Sequence, residues 1–445
     1  MRHHLENRLR PRRRRTQQQR RHHSKPQSLH CLALPVRFGA ATIALCAASG
    51  WKGARYSVRK APMPVLLFIV FVDLVGFGII IPLLPFYAEH FGASPLAVTL
   101  LMAIYSAMQF LAAPLLGALS DRYGRRRVIA LSTFGAALGY LVMGLAGSLV
   151  MLFLARAVAG AIAGNIAAAQ AYIADVTAPE DRAKGMGLFG AAMGFGFIVG
   201  PAIGAVLAGG GDTVNYTLPP FVAAATSALA GILALVALRE TGVAASPRRL
   251  SWLAPISAAV GNADLRPLAV TLFLVVFAFA GLETTFALWA ERQLDWGPRE
   301  VGALFAGVGV VAVIVQGGLV GRLSRRLGEE AVVMIGIVAL VAGFALLPTA
   351  TTLAPTLVAM VLLAGGFGLA NPALASLVSR RAAADAQGAS LGVAQAGASL
   401  GRIFGPALAG VLFTNGGQAL PYVASAAILV VVAAFWQRTR RLAPE

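Results

Sequence analysis

Charge is scarce in this chain. Of its 445 residues, 12% are Asp, Glu, Lys or Arg, against about 25% in a soluble domain. That shortage excludes an ordinary water-soluble enzyme, because there is too little polar surface to cover a globule of this size. Cysteine is nearly missing as well. Both copies, Cys31 and Cys46, lie before residue 60 together with five of the six histidines. The remaining chain therefore has no disulfide and no thiolate metal site, and no metal is expected. The tail's His3-His4 and His22-His23 are adjacent rather than a helical turn apart, so they do not read as a metal site. No G-x-x-x-x-G-K-[ST] loop is present, so ATP is not the evident energy source and no cofactor is expected.

What the chain has in abundance is apolar sequence: 58% of residues are hydrophobic, with a mean hydropathy of +0.75. The apolar residues come in runs of roughly 20, the length a helix needs to cross a bilayer. Twelve such spans are read at 63–85, 97–119, 128–147, 149–173, 185–208, 218–238, 267–289, 299–320, 331–348, 354–378, 386–413 and 419–437. Their backbone groups must be paired within lipid, so they are helices. The 49 Gly and 23 Pro fit membrane helices, where small residues allow close packing. The fold class is an all-α polytopic membrane protein.

The net charge of +19 is unevenly placed. Residues 1–60 hold fifteen Lys/Arg against one acid, Glu6. This N-terminal extension lacks apolar periodicity and reads as disordered. Five readings stay open for it: a lipid- or nucleic-acid-binding polybasic tail, a transit peptide, a signal h-region at Phe38–Ala48 weakened by Thr42, Cys46 and its basic flanks, a solvated extension, or upstream sequence added by an early start codon before Met63. In the body, basic residues fall almost entirely in alternate loops, from Arg122, Arg125, Arg126 and Arg127 to the tail's Arg438, Arg440 and Arg441. The other loops carry only Arg292 and Arg299. The positive-inside rule then places both termini in the cytoplasm, and the inner (plasma) membrane is the expected location.

The long polar connection 239–266 divides the spans into halves, 61–238 and 267–437, followed by a short tail, 438–445. The halves repeat. Gly117-Ala-Leu-Ser-Asp-Arg-Tyr-Gly124 matches Gly321-Arg-Leu-Ser-Arg-Arg-Leu-Gly328, GPAIGAVLA at 200–208 matches GPALAGVLF at 405–413, and Asn165 has a counterpart in Asn371. Two pseudo-symmetric six-helix halves are the pattern of secondary transporters, with the ligand between the halves near the midplane.

Four charges lie deep in the spans: Asp73, Arg156, Glu283 and Arg402. Asp73 is about 15 Å into span 1, where a charge costs at least ~2.5–3.5 kcal/mol. Such a carboxyl is kept for a partner or for a function. A carboxyl alternating between dry and cation-rich surroundings can load and release a proton. Arg156 reaches a similar depth in span 4, so an Asp73–Arg156 pair is feasible. Polar side chains at mid-span, Gln109, Asn165, Gln170, Gln316, Asn371 and Gln395, together with Arg402, are candidates for a pocket holding an amphiphilic solute. They serve equally as interhelical hydrogen bonds. Gly194, Gly196, Gly200, Pro201 and Gly204 on span 5 suit a kinked helix packed closely against the other half.

The segments GALSDRYGRRR at 117–127, DLVGFGIIIPLLPFYA at 73–88, LFLARAVAGAIAG at 152–164 and GLETTFALWAERQLDWGPREVG at 281–302 resemble signatures of the major facilitator superfamily. The branch they resemble is that of twelve-helix drug:proton antiporters, above all tetracycline-efflux-type carriers. The resemblance covers the chain from about Met63 to its end. It implies export of a small amphiphilic compound in exchange for protons, by a monomer in the lipid bilayer, with Asp73, Glu283 and Arg156 in proton coupling and no nucleic-acid partner. It implies a gating motif of Gly117, Asp121, Arg122, Gly124, Arg125 and Arg126, in which Asp121 caps span 11 across the halves and Arg125 or Arg126 pairs with Asp175. It associates Gly194, Gly200, Pro201 and Gly204 with antiport. The second-half loop has Arg325 in place of Asp121, so that copy is expected to lack the acid's role. A proton-coupled importer of a sugar or metabolite, and a non-transporting receptor or scaffold, are the competing functions.

Overall fold

The computed structural model describes residues 62–178, 181–210, 214–241, 265–381 and 387–442. The readings of the N-terminal extension, and most of the expected linker, 242–264, lie outside the described residues. Among the described residues, twelve helices are long and apolar enough to span a membrane: Met63–His90, Pro95–Tyr123, Arg125–Gly144, Leu149–Val176, Lys184–Ala208 and Leu218–Ala237 in the first half. Leu265–Leu294, Pro298–Leu327, Glu329–Thr349, Leu353–Arg381, Ala394–Gly416 and Leu420–Gln437 form the second. These are spans 1 to 12 below. No strand occurs among the described residues. The helix of span 7 begins inside the expected linker, at Leu265, and that of span 12 runs on to Leu442.

Three spans are interrupted, which the apolar runs did not foretell. Span 1 is two helices, Pro62–Ile80 and Leu84–His90, because Pro82 and Pro85 cannot continue the hydrogen-bond ladder. Span 4 is Leu149–Ala161 and Asn165–Val176, broken at Ile162-Ala163-Gly164. Span 8 holds one π-helical turn, Val315–Leu319, between Pro298–Ile314 and Val320–Leu327. Such turns recur at functional positions.

Glycines set the closest approaches. A Cβ at Gly200 would lie 2.7 Å from Gly78 Cα, and one at Gly204 2.6 Å from Ile79 O, so span 5 lies directly against span 1. The expectation that this stripe faces the other half is corrected. Gly196, Gly200 and Gly204 face span 1 of their own half. Gly194 meets Val313, and Pro201 meets Gly302, of span 8 across the halves. The second half repeats the seam, with Gly401 and Gly405 against Phe273 and Phe277 of span 7.

The ends away from the Arg-rich loops will be called the far end. There, among the described residues, the halves come into contact. Gly410 of span 11 presses on Leu96 and Thr99 of span 2, Gly302 of span 8 on Ala205 of span 5, and Arg292 of span 7 pairs with Glu89 of span 1 at 3.5 Å. At the Arg-rich end, a Cβ at Gly117 of span 2, at Gly187 or Gly190 of span 5, or at Gly317 of span 8 would meet nothing within 4 Å. Among the described residues, the halves are thus in contact at the far end. Val206, Val236 and Val431 are exposed on the periphery, as lipid-facing residues must be.

Candidate functional site

Asp73 sits 5% exposed in the first helix of span 1. Its carboxylate accepts a hydrogen bond from Ser227 Oγ of span 6 at 3.2 Å and another from Asn165 Nδ2 of span 4. Local sequence produces both. Gly76 lets span 6 approach until a Cβ there would touch Thr226 and Ser227. The break in span 4 makes Asn165 the first residue of a half-helix, so the positive end of that half-helix faces the carboxylate. A hydrogen bond to a charged group contributes about 1.5–3 kcal/mol. Two of them match the ~2.5–3.5 kcal/mol cost of a charge at this depth. Asp73 is therefore held without an ion pair.

The feasible Asp73–Arg156 pair is not formed. No ion pair joins them among the described residues. Arg156 is 3% exposed and stacks instead over the ring of Tyr105, 4.4 Å from its centroid. Its Nε is buried with no hydrogen-bond partner. Gly160, one turn on, makes this stacking possible, since any Cβ there would strike the Tyr105 backbone. Tyr105 gathers the deep charges of both halves: Asp73, Arg156 and, from span 11, Arg402 all lie within its electrostatic reach. Arg402 in turn is within reach of Glu283 of span 7 and donates to Ser399 Oγ at 3.5 Å. The four deep charges read from the sequence thus fall into one central cluster, organised by a tyrosine that the sequence did not single out. A large aromatic opposite a membrane arginine was the available signal.

The mid-span amides do not behave as a set. Asn165 belongs to the Asp73 network. Gln109 Nε2 donates to Ala163 O at 3.5 Å, pairing a carbonyl freed by the span 4 break. Asn371 is half-buried, while Gln170, Gln316 and Gln395 are exposed. Gln316 falls in the π-helical turn, beside Gly368 of span 10. A cavity of about 610 Å³ lies elsewhere, at the far end, lined by Tyr87, His90, Phe91, Ala146, Val214, Asn215, Tyr216 and Thr217.

The loop motif is built as a turn with two anions. Gly124 has φ +100, a conformation that favours glycine. Asp121 binds Arg125 Nη1 at 2.6 Å, and Arg125 Nε binds Asp175 Oδ2 at 3.3 Å. Arg125, not Arg126, is therefore the partner of Asp175, which also accepts from Thr241 Oγ1 at 3.1 Å. Arg126 instead donates through its backbone N–H to Glu240 Oε1 at 3.1 Å and through Nη2 to Leu235 O. Glu240, unforeseen, caps span 3, a place that suits an anion. Arg122 is exposed over the ring of Tyr123. The start of span 11 that Asp121 is expected to cap lies outside the described residues; among these the partner of Asp121 is Arg125. In the second half the signs are reversed. Glu329 and Glu330 open span 9 and pair with Arg380 at 3.5 Å and Arg381 at 2.5 Å at the end of span 10. That copy, with Arg325 for Asp121, has its own ion pairs rather than none.

Twelve spanning helices in two repeated halves, joined at one end around a buried charge cluster, define a membrane transporter. The Major Facilitator Superfamily model matches residues 66–400 and 319–445. The chain belongs to that family. It is 32% identical over 384 residues to the tetracycline resistance protein, class C, of Escherichia coli, covering 82% of this chain and 94% of the relative. It is 31% identical over 365 residues to multidrug resistance protein 2 of Bacillus subtilis, covering 80% and 89%. Among solved structures, the human organic anion transporter MFSD10 matches with a TM-score of 0.65 and 25% identity, covering 84% of this chain and 99% of that one. A bacterial homologue of the lysosomal transporter Spinster, inward-facing and occupied, matches in fold with a TM-score of 0.71 at 18% identity, covering 85% and 96%.

Proposed function

We propose that the protein exports a small amphiphilic organic compound, of tetracycline-like or multidrug type, in exchange for protons by alternating access. The observation that carries this reading is Asp73: a buried carboxylate at the joint of spans 1, 4 and 6, held by neutral donors. A carboxyl held by Asn165 and Ser227, rather than locked by Arg156, is free to take up and lose a proton. The Tyr105 ring keeps Arg156 in the same cluster without neutralising Asp73. Arg402 and Glu283 bring the second half into that field. Rocking of the halves about the span 2–11 and 5–8 contacts would then change what the cluster faces. The relatives named for tetracycline and multidrug resistance support the substrate class. Under this reading the Arg-rich end is cytoplasmic, the membrane is the inner one, and the halves are joined at the outer end. No cofactor is required beyond the proton gradient, and the unit is a monomer.

Inside-out vesicles separate this from proton-coupled import. With an acidic lumen, an antiporter accumulates tetracycline inside the vesicle, and collapsing the pH difference releases it. Loss of solute from an acidic lumen would instead support a symporter. No flux in either direction would support a receptor or scaffold.

A further inference from the structure

At the far end of the first half, four aromatic rings close on one another. Tyr87 and His90 lie one turn apart on the second helix of span 1, so both side chains fall on one face of it. Phe91 follows at its end. Tyr216 comes from the loop before span 6. Asn215 shapes that loop: its Oδ1 accepts from Thr217 N at 3.1 Å and from Leu218 N, the first helical N–H of span 6, at 2.9 Å. Tyr216 stacks on Tyr87 with centroids 5.2 Å apart and packs on His90 at 4.9 Å. Phe91 meets Tyr87 at 5.3 Å and His90 at 5.4 Å, which completes the circuit. The Tyr87 hydroxyl donates to Met143 O at 3.1 Å and Ala146 O at 3.2 Å, tying the quartet to the end of span 3. These rings wall the cavity of about 610 Å³, a volume that suits a drug-sized molecule. His90, Asn215 and Thr217 are exposed, so the cavity opens to the medium. None of the four deep charges lines it.

Single aromatic residues at a membrane surface serve as anchors among the headgroups. Four in mutual contact around a hollow make a recognition surface instead. Flat rings select a flat ligand by stacking. The charge preference comes from the backbone, because no Lys, Arg, Asp or Glu lines the cavity. The second helix of span 1 ends at His90 and span 3 ends at Gly144, and a helix C-terminus carries negative partial charge. Span 6 offers its positive end, but Asn215 Oδ1 already occupies the first N–H there. Aromatic faces are themselves negative and attract cations. We propose that this cavity is a second ligand site, which takes a flat aromatic cation at the far end of the first half. All of its lining residues belong to that half, so binding there needs no rocking of one half against the other. The site rests on neither proton coupling nor export.

The test uses the full chain in lipid nanodiscs and ethidium monoazide, a flat aromatic cation that couples on illumination to the residues holding it. Labelled peptides are identified by mass spectrometry. Label is expected on the segments 84–91 and 214–217. It should saturate, and excess ethidium should block it while 1-pyrenesulfonate, a flat aromatic anion, should not. Tyr216→Ala should raise the half-saturating concentration for those segments about tenfold, the loss expected of one desolvated ring face. Tyr216→Phe keeps the ring and should label like the parent. His90→Ala, at an exposed position that leaves the core untouched, is the second variant and should also weaken labelling. Label confined to other segments would overturn the proposal. So would blocking by 1-pyrenesulfonate as strong as by ethidium, parent-like labelling in both Ala variants, or a loss in Tyr216→Phe equal to that in Tyr216→Ala.

Discussion

Gly200→Ala is the sharpest test of how Asp73 is positioned. A Cβ at Gly200 would sit 2.7 Å from Gly78 Cα and 2.7 Å from Val75 O. Ordinary contact begins at 3.4 Å, so spans 1 and 5 would have to part by about 0.7 Å. Both obstructing atoms are backbone, with no flexible side chain to yield. Overpacking of this kind costs about 1–3 kcal/mol. Gly187, on the same helix, is the internal control. A Cβ there meets nothing within 4 Å, and Ala gains about 1 kcal/mol of helix propensity over Gly. The two variants should therefore differ by about 2–4 kcal/mol. At a few degrees per kcal/mol, purified Gly200→Ala should melt several degrees below the parent, with Gly187→Ala at or above it. Flux should fall in the first alone, because the parted seam displaces the turn that carries Asp73 away from Ser227. Equal melting of the two variants would refute the close span 1–5 seam and the positioning drawn from it.

Two further outcomes are expected. Asp121→Asn, which breaks the 2.6 Å contact to Arg125, should slow turnover more than it weakens equilibrium binding, since it lies in a loop far from the central cluster. Comparing vesicle flux with binding to purified protein checks this, and lost affinity with unchanged maximal flux would count against it. Glu240→Ala should lower stability by about 0.5–2 kcal/mol, the range for loss of a helix N-terminal cap, read as a lower melting temperature without a change in substrate affinity.

Much of the architecture was legible because lipid imposes a coarse rule: a helix needs about 20 apolar residues to cross. The twelve spans followed from run length, the split into halves from the polar connection 239–266, and the match of Gly117–Gly124 to Gly321–Gly328 fixed the correspondence between halves. The interruptions did not show, because hydropathy is blind to backbone. Ile162-Ala163-Gly164 is as apolar as the helix around it, yet breaking there is what turns Asn165 toward Asp73. Ser227 could not be tied to Asp73 for a different reason. They are 154 residues apart, and only the Gly76 gap reveals that spans 1 and 6 touch there. Depth alone made an Asp73–Arg156 pair feasible. Depth carries no azimuth around a helix, and Arg156 turned to Tyr105 instead.

The central claim is that Asp73 couples solute movement to protons, and substrate-driven proton flux in proteoliposomes tests it directly. Tetracycline added to one side of vesicles without any imposed pH difference should move protons in the opposite direction, reported by an enclosed pH dye. With Asp73→Asn, tetracycline should still exchange across the membrane while the dye stays silent. Solute-linked proton movement persisting in Asp73→Asn would contradict the account.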